Sequence, residues 1–155
     1  MNVVAMNQAA QVLEAAKSVL VIDWPLVEVP ETLARAGYTT VEHGGPESDN
    51  YSAYELSGGE VVMRRLGGAP EHADLVYTHR PVDELPEIAE FAKQLGATAV
   101  WIQSGRVEGG TPDKQGCWLP DDESRRAREI VEAAGLTYIQ EPYIVDAVRD
   151  LEARA

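Results

Sequence analysis

The stretch Val19-Leu20-Val21-Ile22, followed directly by Asp23-Trp24-Pro25, decides the fold. Four consecutive apolar residues without alternation are typical of a strand that is buried on both faces, as in a parallel sheet. Helical patterns lie on either side of this run. The stretch therefore predicts the first strand of an α/β sheet, with an aspartate, a tryptophan and a proline in its first turn.

Four further runs predict strands that alternate with helices. The strands are expected near 39–41, 75–77, 99–102 and 136–139. The helices are expected near 12–16, 29–36, 85–95, 127–134 and 145–152. Alternation of this kind indicates βαβ units joined by right-handed crossovers. We predict a Rossmann-like α/β fold with a mostly parallel, five-stranded sheet and helices on both faces.

One segment departs from this alternation. At about residues 52–66, two runs of strand-forming residues flank Ser57-Gly58-Gly59-Glu60. A glycine pair between such runs is a strong signal for a β-hairpin. We predict a small antiparallel hairpin inserted into one domain that spans residues 1–155.

Composition limits the classes of function. The chain has 155 residues, 45% of them apolar, and a formal net charge of −13. Such a charge repels nucleic acids and anionic membranes, so we expect neither as a partner. A single cysteine, Cys117, and an N-terminus without a basic segment favour a cytoplasmic location.

Several blocks of the sequence resemble a known family. The most specific are Asp74-Leu75-Val76-Tyr77-Thr78-His79-Arg80-Pro81 and Ala99-Val100-Trp101-Ile102-Gln103-Ser104-Gly105. Weaker likeness is found in residues 16–22, 32–38 and 133–136 and near Glu141-Pro142-Tyr143. Over about residues 10–150 the chain resembles the CoA-binding domain family, the small stand-alone bacterial proteins similar to the N-terminal domain of the succinyl-CoA synthetase alpha subunit. The resemblance implies a Rossmann-like fold and binding of coenzyme A, usually without a demonstrated reaction.

The first turn departs from the pattern of that family. There, the first strand runs into a longer loop that opens with Gly-x-Ser, and backbone N–H groups with a helix N-terminus hold the phosphates. Here an aspartate replaces the glycine. Compared with the family pattern that the chain resembles, the loop is about six residues shorter. A carboxylate at that position repels a phosphate. The turn at 23–25 is thus where the expected ligand is least supported.

Candidate binding residues lie where the predicted parallel strands end, since ligands bind beyond the carboxyl ends of such strands. These residues are Asp23, Trp24, Pro25, His43, Gly44, Gly45, His79, Arg80, Gln103, Ser104 and Gly105. Asp23 can orient a hydroxyl, cap the next helix or pair with Arg80. Arg80 can hold a phosphate or carboxylate in bidentate fashion, or form an internal ion pair. Trp24 can stack on a purine or on another subunit, or pack internally.

Other motifs give weaker evidence about function. Residues 105–111 have the glycine spacing of a P-loop, but Thr111 stands where the lysine should be. We interpret the loop 105–120 as a plain surface loop or a flexible lid over the strand ends. The scattered histidines and Cys117 predict no metal site and no activated nucleophile.

Three functions follow. The first is non-catalytic binding of coenzyme A or a related nucleotide. The second is a divergent domain that has lost the nucleotide and acts as a protein interaction or regulatory module, with a homodimer among its expected forms. The third is an enzyme that uses Asp23 and His79 as an acid–base pair.

Overall fold

We describe a computed structural model of the chain, which defines residues 3–23, 26–44 and 49–154, with side chains from residue 6 onward. The strands are β1 (Ser18–Ile22), β2 (Thr39–His43), β3 (Tyr51–Ser57), β4 (Glu60–Leu66), β5 (Leu75–Thr78), β6 (Ala99–Ile102) and β7 (Thr137–Ile139). The helices are α1 (Val3–Ala15), α2 (Glu28–Arg35), α3 (Leu85–Gln94), α4 (Asp121–Ala133) and α5 (Ile144–Arg154). A short 3-10 helix, Val82–Glu84, leads into α3.

The described strands form one sheet in the order β4-β3-β2-β1-β5-β6-β7. Strands β2, β1, β5, β6 and β7 are parallel, and they are the five that the sequence predicts. The predicted hairpin is also present, as β3 and β4. Because β3 pairs antiparallel with β2, the hairpin extends the sheet to seven strands. The predicted Rossmann-like fold is confirmed.

Alternate residues of the buried strands supply two separate core layers. Leu20 and Val76 face the layer formed with α3 and α4. Val21, Tyr77 and Trp101 face the layer formed with α1, α2 and α5. This alternation explains the wholly apolar strand runs, since helices cover both faces of the sheet. None of the described helices combines the length and the apolar character that a membrane span requires.

The order in which successive strands are added to the sheet reverses between β1 and β5. The chain leaves β1 towards β2 and the hairpin, and it returns to pair β5 with the other side of β1. Ile22 and Thr78 lie opposite each other in register. The residues that follow them, Asp23 on one side and His79 and Arg80 on the other, therefore meet at the topological switch point of the sheet, where open α/β folds bind ligands.

Candidate functional site

A cleft of about 630 Å³ opens at this switch point. We call it the switch-point cleft, and it is lined by Ile22, Asp23, His43, Tyr51, Arg80, Glu84, Glu87, Ile88 and Phe91. Strands β1, β2, β3 and the start of α3 each contribute to its wall. The size is within the range of small-molecule sites, and the lining combines an apolar wall with a few polar groups.

Arg80 is the centre of the polar side of the cleft. Its Nη1 donates to Oδ2 of Asp23 at 2.6 Å. Its Nε and Nη2 donate to the two carboxylate oxygens of Glu84, at 2.6 to 3.2 Å. These carboxylates, that of Glu84 first, hold the pKa of Arg80 further above its ordinary value. The pairing of Asp23 with Arg80 that the sequence suggested is present, and Glu84 adds a second carboxylate.

This arrangement makes the cleft acidic. Among the described residues, Asp23, Glu84 and Glu87 line it against one guanidinium, that of Arg80. The guanidinium already donates in three directions to carboxylates. An anionic group that enters must therefore displace a carboxylate from Arg80 or lie near uncompensated negative charge.

Asp23 has an unusual backbone. Its φ is 48°, in the left-handed region that glycine adopts readily and aspartate tolerates. Its N–H donates to the carbonyl of His43 at 3.0 Å, so the β1–β2 pairing continues one residue beyond the strand. Val27 precedes α2 without a side-chain cap. Asp23 is thus an ion-pair residue in a glycine-like conformation, and it does not cap the helix.

His43 and Tyr51 form an aromatic pair in the cleft wall. Their rings are stacked, with centroids 4.2 Å apart and planes at 17°. Nδ1 of His43 lies 3.0 Å from the carbonyl of Asn50, which fixes the ring. Gly44 follows and donates to the same carbonyl at 3.4 Å, without lining the cleft. Trp24, Pro25 and Gly45, also predicted at this site, lie outside the described residues.

His79 faces a different space from the switch-point cleft. Together with Arg80, Ser104 and Arg106 it lines a smaller pocket of about 180 Å³ on the α4 side. Its Nδ1 is buried and accepts or donates no hydrogen bond among the described residues. Burial lowers the pKa of His79, which favours the neutral ring. Arg106 in that pocket pairs with Glu123 at 3.4 Å.

The residues that follow β6 hold the loop 105–120 in place. Gln103 is buried: its Oε1 accepts from the Tyr77 hydroxyl, and its Nε2 donates to the Lys114 carbonyl. Ser104 donates to the carbonyl of Trp118. The side chains of Gln103 and Ser104 are thus engaged within the protein, while Ser104 still borders the smaller pocket.

Gly105 permits a close approach between this loop and β5. Its φ is 77°, and a Cβ there would lie 2.7 Å from Cε1 of His79. Main-chain hydrogen bonds then fold the loop on itself, for example from Gly105 to Gly116 and from Trp118 to Arg106, both at 2.9 Å. The loop does not line the switch-point cleft.

Glu42 is a buried carboxylate beside the site. It lies on β2 opposite Ser52 of β3 and is 6% exposed. Its Oε2 has no hydrogen-bond partner among the described residues. Burial raises its pKa to about 7, with Asp23 adding to the rise and a hydrogen bond with Ser52 opposing it. Glu42 is thus partly protonated at neutral pH.

Other reactive groups are less suited to chemistry. Burial raises the pKa of the Cys117 thiol to about 11, the opposite of what a nucleophile needs. Across the described ranges, no group of three or more His, Cys, Asp or Glu side chains is placed to hold a metal ion.

The cleft also contains residues that sequence reasoning did not select. Glu87, Ile88 and Phe91 come from α3, Glu84 comes from the 3-10 helix before it, and Tyr51 comes from β3. One signal was available for Glu84, because a glutamate four residues after Arg80 can reach it on a helical turn. The others depend on how the hairpin and α3 pack over the end of β1, which has no local signature.

Fold and cleft together define a Rossmann-like α/β domain with a cleft at its topological switch point. The sequence matches the model of a family described as the CoA binding domain over residues 49–145. The chain belongs to the CoA-binding domain family. No curated protein matches it.

Solved structures repeat the fold at low sequence identity. A hypothetical protein from Pyrococcus horikoshii OT3 is similar with a TM-score of 0.60 and 17% identity, over 95% of this chain and 92% of the other. A protein from Thermus thermophilus is similar with a TM-score of 0.57 and 20% identity, over 97% of this chain and 99% of the other. These likenesses establish the shared fold.

Proposed function

We propose that this chain binds coenzyme A or a related adenine nucleotide in the switch-point cleft, without catalysing a reaction on it. The observation that carries the proposal is the position of the cleft. It lies at the one point of the sheet where open α/β folds of this kind receive ligands, in a chain of the CoA-binding domain family. The ligand itself is an inference from the family.

The lining favours the uncharged parts of such a ligand. Ile22, Ile88 and Phe91 offer apolar contact, and the His43–Tyr51 pair presents aromatic surface. The carboxylates can accept hydrogen bonds from ribose hydroxyls or an exocyclic amine. We therefore place the adenosine or pantetheine portion in the cleft and the phosphates towards its opening, where solvent screens them.

A non-catalytic role agrees with the state of the titratable groups. The Asp23 carboxylate is held by Arg80, and the smaller pocket, not the cleft, contains His79. The acid–base pair considered from the sequence would need these two side chains to converge on one substrate atom. Their separate surroundings favour binding alone, and we place the protein in the cytoplasm with its ligand.

Direct binding measurements test the proposal. Native mass spectrometry of the purified protein should show an adduct of nucleotide mass. Calorimetric titration with coenzyme A, dephospho-coenzyme A and ADP should give saturable binding by at least one of them. Saturation at about 100 times Kd should stabilise the fold by about 2.7 kcal/mol in thermal unfolding.

A pair of variants locates the site. Phe91→Ala removes part of the apolar cleft wall and should weaken binding, whereas Val62→Ala, on the exposed hairpin, should not. Circular dichroism checks that both are folded. Absence of any adduct and of any thermal shift at millimolar nucleotide would refute nucleotide binding.

One observation favours a second function. Two carboxylates already accept from the Arg80 guanidinium, so a phosphate there would meet negative charge. A domain that had lost its nucleotide and served as an interaction or regulatory module would retain the fold with the guanidinium paired in this way. Failure of all three nucleotides to bind would support this alternative.

A further inference from the structure

The outer strand of the hairpin, β4, is an open edge of the sheet. It stands first in the order of the described strands and, among them, pairs with β3 on one side only. Val62 is 45% exposed and Met63 is 63% exposed. A seven-residue edge strand with exposed apolar residues is a template for pairing with another strand.

The hairpin turn determines which backbone groups point outward. Gly58 and Gly59 have φ values of 62° and 85°, as in a two-residue type I′ turn. Ser57 and Glu60 flank the turn as a hydrogen-bonded pair, and the pairs then alternate along the ladder. The N–H and C=O groups of Glu60, Val62 and Arg64 therefore face β3, and those of Val61 and Met63 face outward.

We propose that two copies of this chain associate by antiparallel pairing of their β4 strands, about a two-fold axis at Val62. With such an axis, the same face of the sheet points to the same side in both copies. The register can therefore change only in steps that keep residues of the same face opposite each other. With the axis at Val62, Val62 meets Val62, Val61 meets Met63, and Glu60 meets Arg64 of the second copy. Outward-facing Val61 and Met63 then exchange main-chain hydrogen bonds across the interface.

Two registers in which the axis lies further along β4 are less favourable. An axis at Met63 would place Val62 opposite Arg64 and Glu60 opposite Leu66, which leaves both charges without a partner. An axis at Arg64 would place two arginines opposite each other, and like charges in that position destabilise a pair of strands. The axis at Val62 alone among these three matches acid with base and apolar with apolar.

Charge also favours this edge over the rest of the surface. The chain carries a net charge of −13, yet residues 51–66 contain two acids, Glu55 and Glu60, and two bases, Arg64 and Arg65. Arg64 already donates to Glu55 at 2.8 Å, and this holds its guanidinium along the hairpin. In the pair, Glu60 of the second copy adds a second carboxylate to Arg64. Two copies can therefore approach through this neutral edge with little of the repulsion that operates elsewhere.

Charge reversal provides the test. Glu60→Arg places two arginine pairs in the interface, and Arg64→Glu places two glutamate pairs there. Each variant alone should associate at least about tenfold more weakly than the wild type. Mixed one to one, they should form a heterodimer, since every arginine of one chain then meets a glutamate of the other.

Sedimentation velocity from micromolar to near-millimolar protein measures the association. Native mass spectrometry of the mixture separates the heterodimer from both homodimers by mass. A wild-type protein that stays monomeric throughout would overturn the proposal. Single variants that dimerise as well as the wild type would assign the dimer to another surface, and a mixture that fails to pair would refute the Val62 register.

Discussion

Replacement of Glu84 by glutamine should increase the affinity of the switch-point cleft for a phosphorylated nucleotide. In the wild type, Glu84 contacts Arg80 through both carboxylate oxygens and Asp23 contacts it through one. Glu84→Gln removes one negative charge and leaves a single neutral oxygen that can accept from the guanidinium. Arg80 then keeps Asp23 and has a donor available for a phosphate.

The size of the effect follows from the geometry. A phosphate that accepts from Arg80 would lie about 5 Å from the Glu84 carboxylate, where like charges repel by about 0.8 kcal/mol in water and about 3 kcal/mol at an effective dielectric constant of 20. The Glu84 side chain is 42% exposed, so the lower value applies. About 1 kcal/mol for each unit of ligand charge near Arg80 corresponds to about fivefold tighter binding.

Calorimetric titration with coenzyme A measures the change, and dephospho-coenzyme A varies the ligand charge. Glu90→Gln is the matched control: it removes the same charge from α3, the helix that follows Glu84, but does not line the cleft. The gain for Glu84→Gln should be larger with coenzyme A than with dephospho-coenzyme A, and it should shrink with added salt. Equal affinities for Glu84→Gln, Glu90→Gln and the wild type would refute the inference that these carboxylates oppose the ligand.

Four further predictions concern stability and reactivity. Asp23→Gly should be more stable than Asp23→Ala by about 1 kcal/mol in urea unfolding, because both lose the ion pair but only glycine relieves a φ of 48°; equal losses would argue against backbone strain. Gly105→Ala should cost about 1–3 kcal/mol more than Gly109→Ala, since both have positive φ but a Cβ meets a ring atom only at the first. Because the pKa of Glu42 rises from 4.5 to about 7 on folding, its contribution to stability is present at low pH and lost as the pH rises towards 7. Glu42→Gln should therefore flatten the decline in stability over that range by about 1–3 kcal/mol, and an unchanged pH profile would contradict the shift. With its pKa raised to about 11, Cys117 should react with iodoacetamide at least about 100-fold more slowly than a free thiol near pH 8, which thiol titration measures.

The sequence was sufficient for the fold because its signals are local and repeated. Each buried strand is a continuous apolar run, and Gly58-Gly59 marks the hairpin turn without ambiguity. What remained unpredicted was that the hairpin continues the main sheet. That depends on the pairing of β3 with β2, and no local sequence pattern indicates which strands pair with each other.

The candidate site was predictable in part. Strand ends identified Asp23, His43 and Arg80, and the sheet brings these three to one cleft. The same rule also selected Gln103, whose amide the structure uses internally. Position at a strand end does not distinguish residues that line the cleft from residues that bond internally. The direction of such a side chain depends on the face of the sheet that the following loop covers.

The hydrogen bonds from Tyr77 to Gln103 and from Gln103 to Lys114 affect how easily the loop 105–120 opens. Lifting the loop would leave the Gln103 amide in the interior without its acceptor, the Lys114 carbonyl, at a cost comparable to losing one buried hydrogen bond. Opening of the loop is therefore opposed by this bond as well as by the main-chain hydrogen bonds within the loop. Its hydrogen-bonded amide protons should exchange with solvent more slowly than those of a surface segment without such bonds.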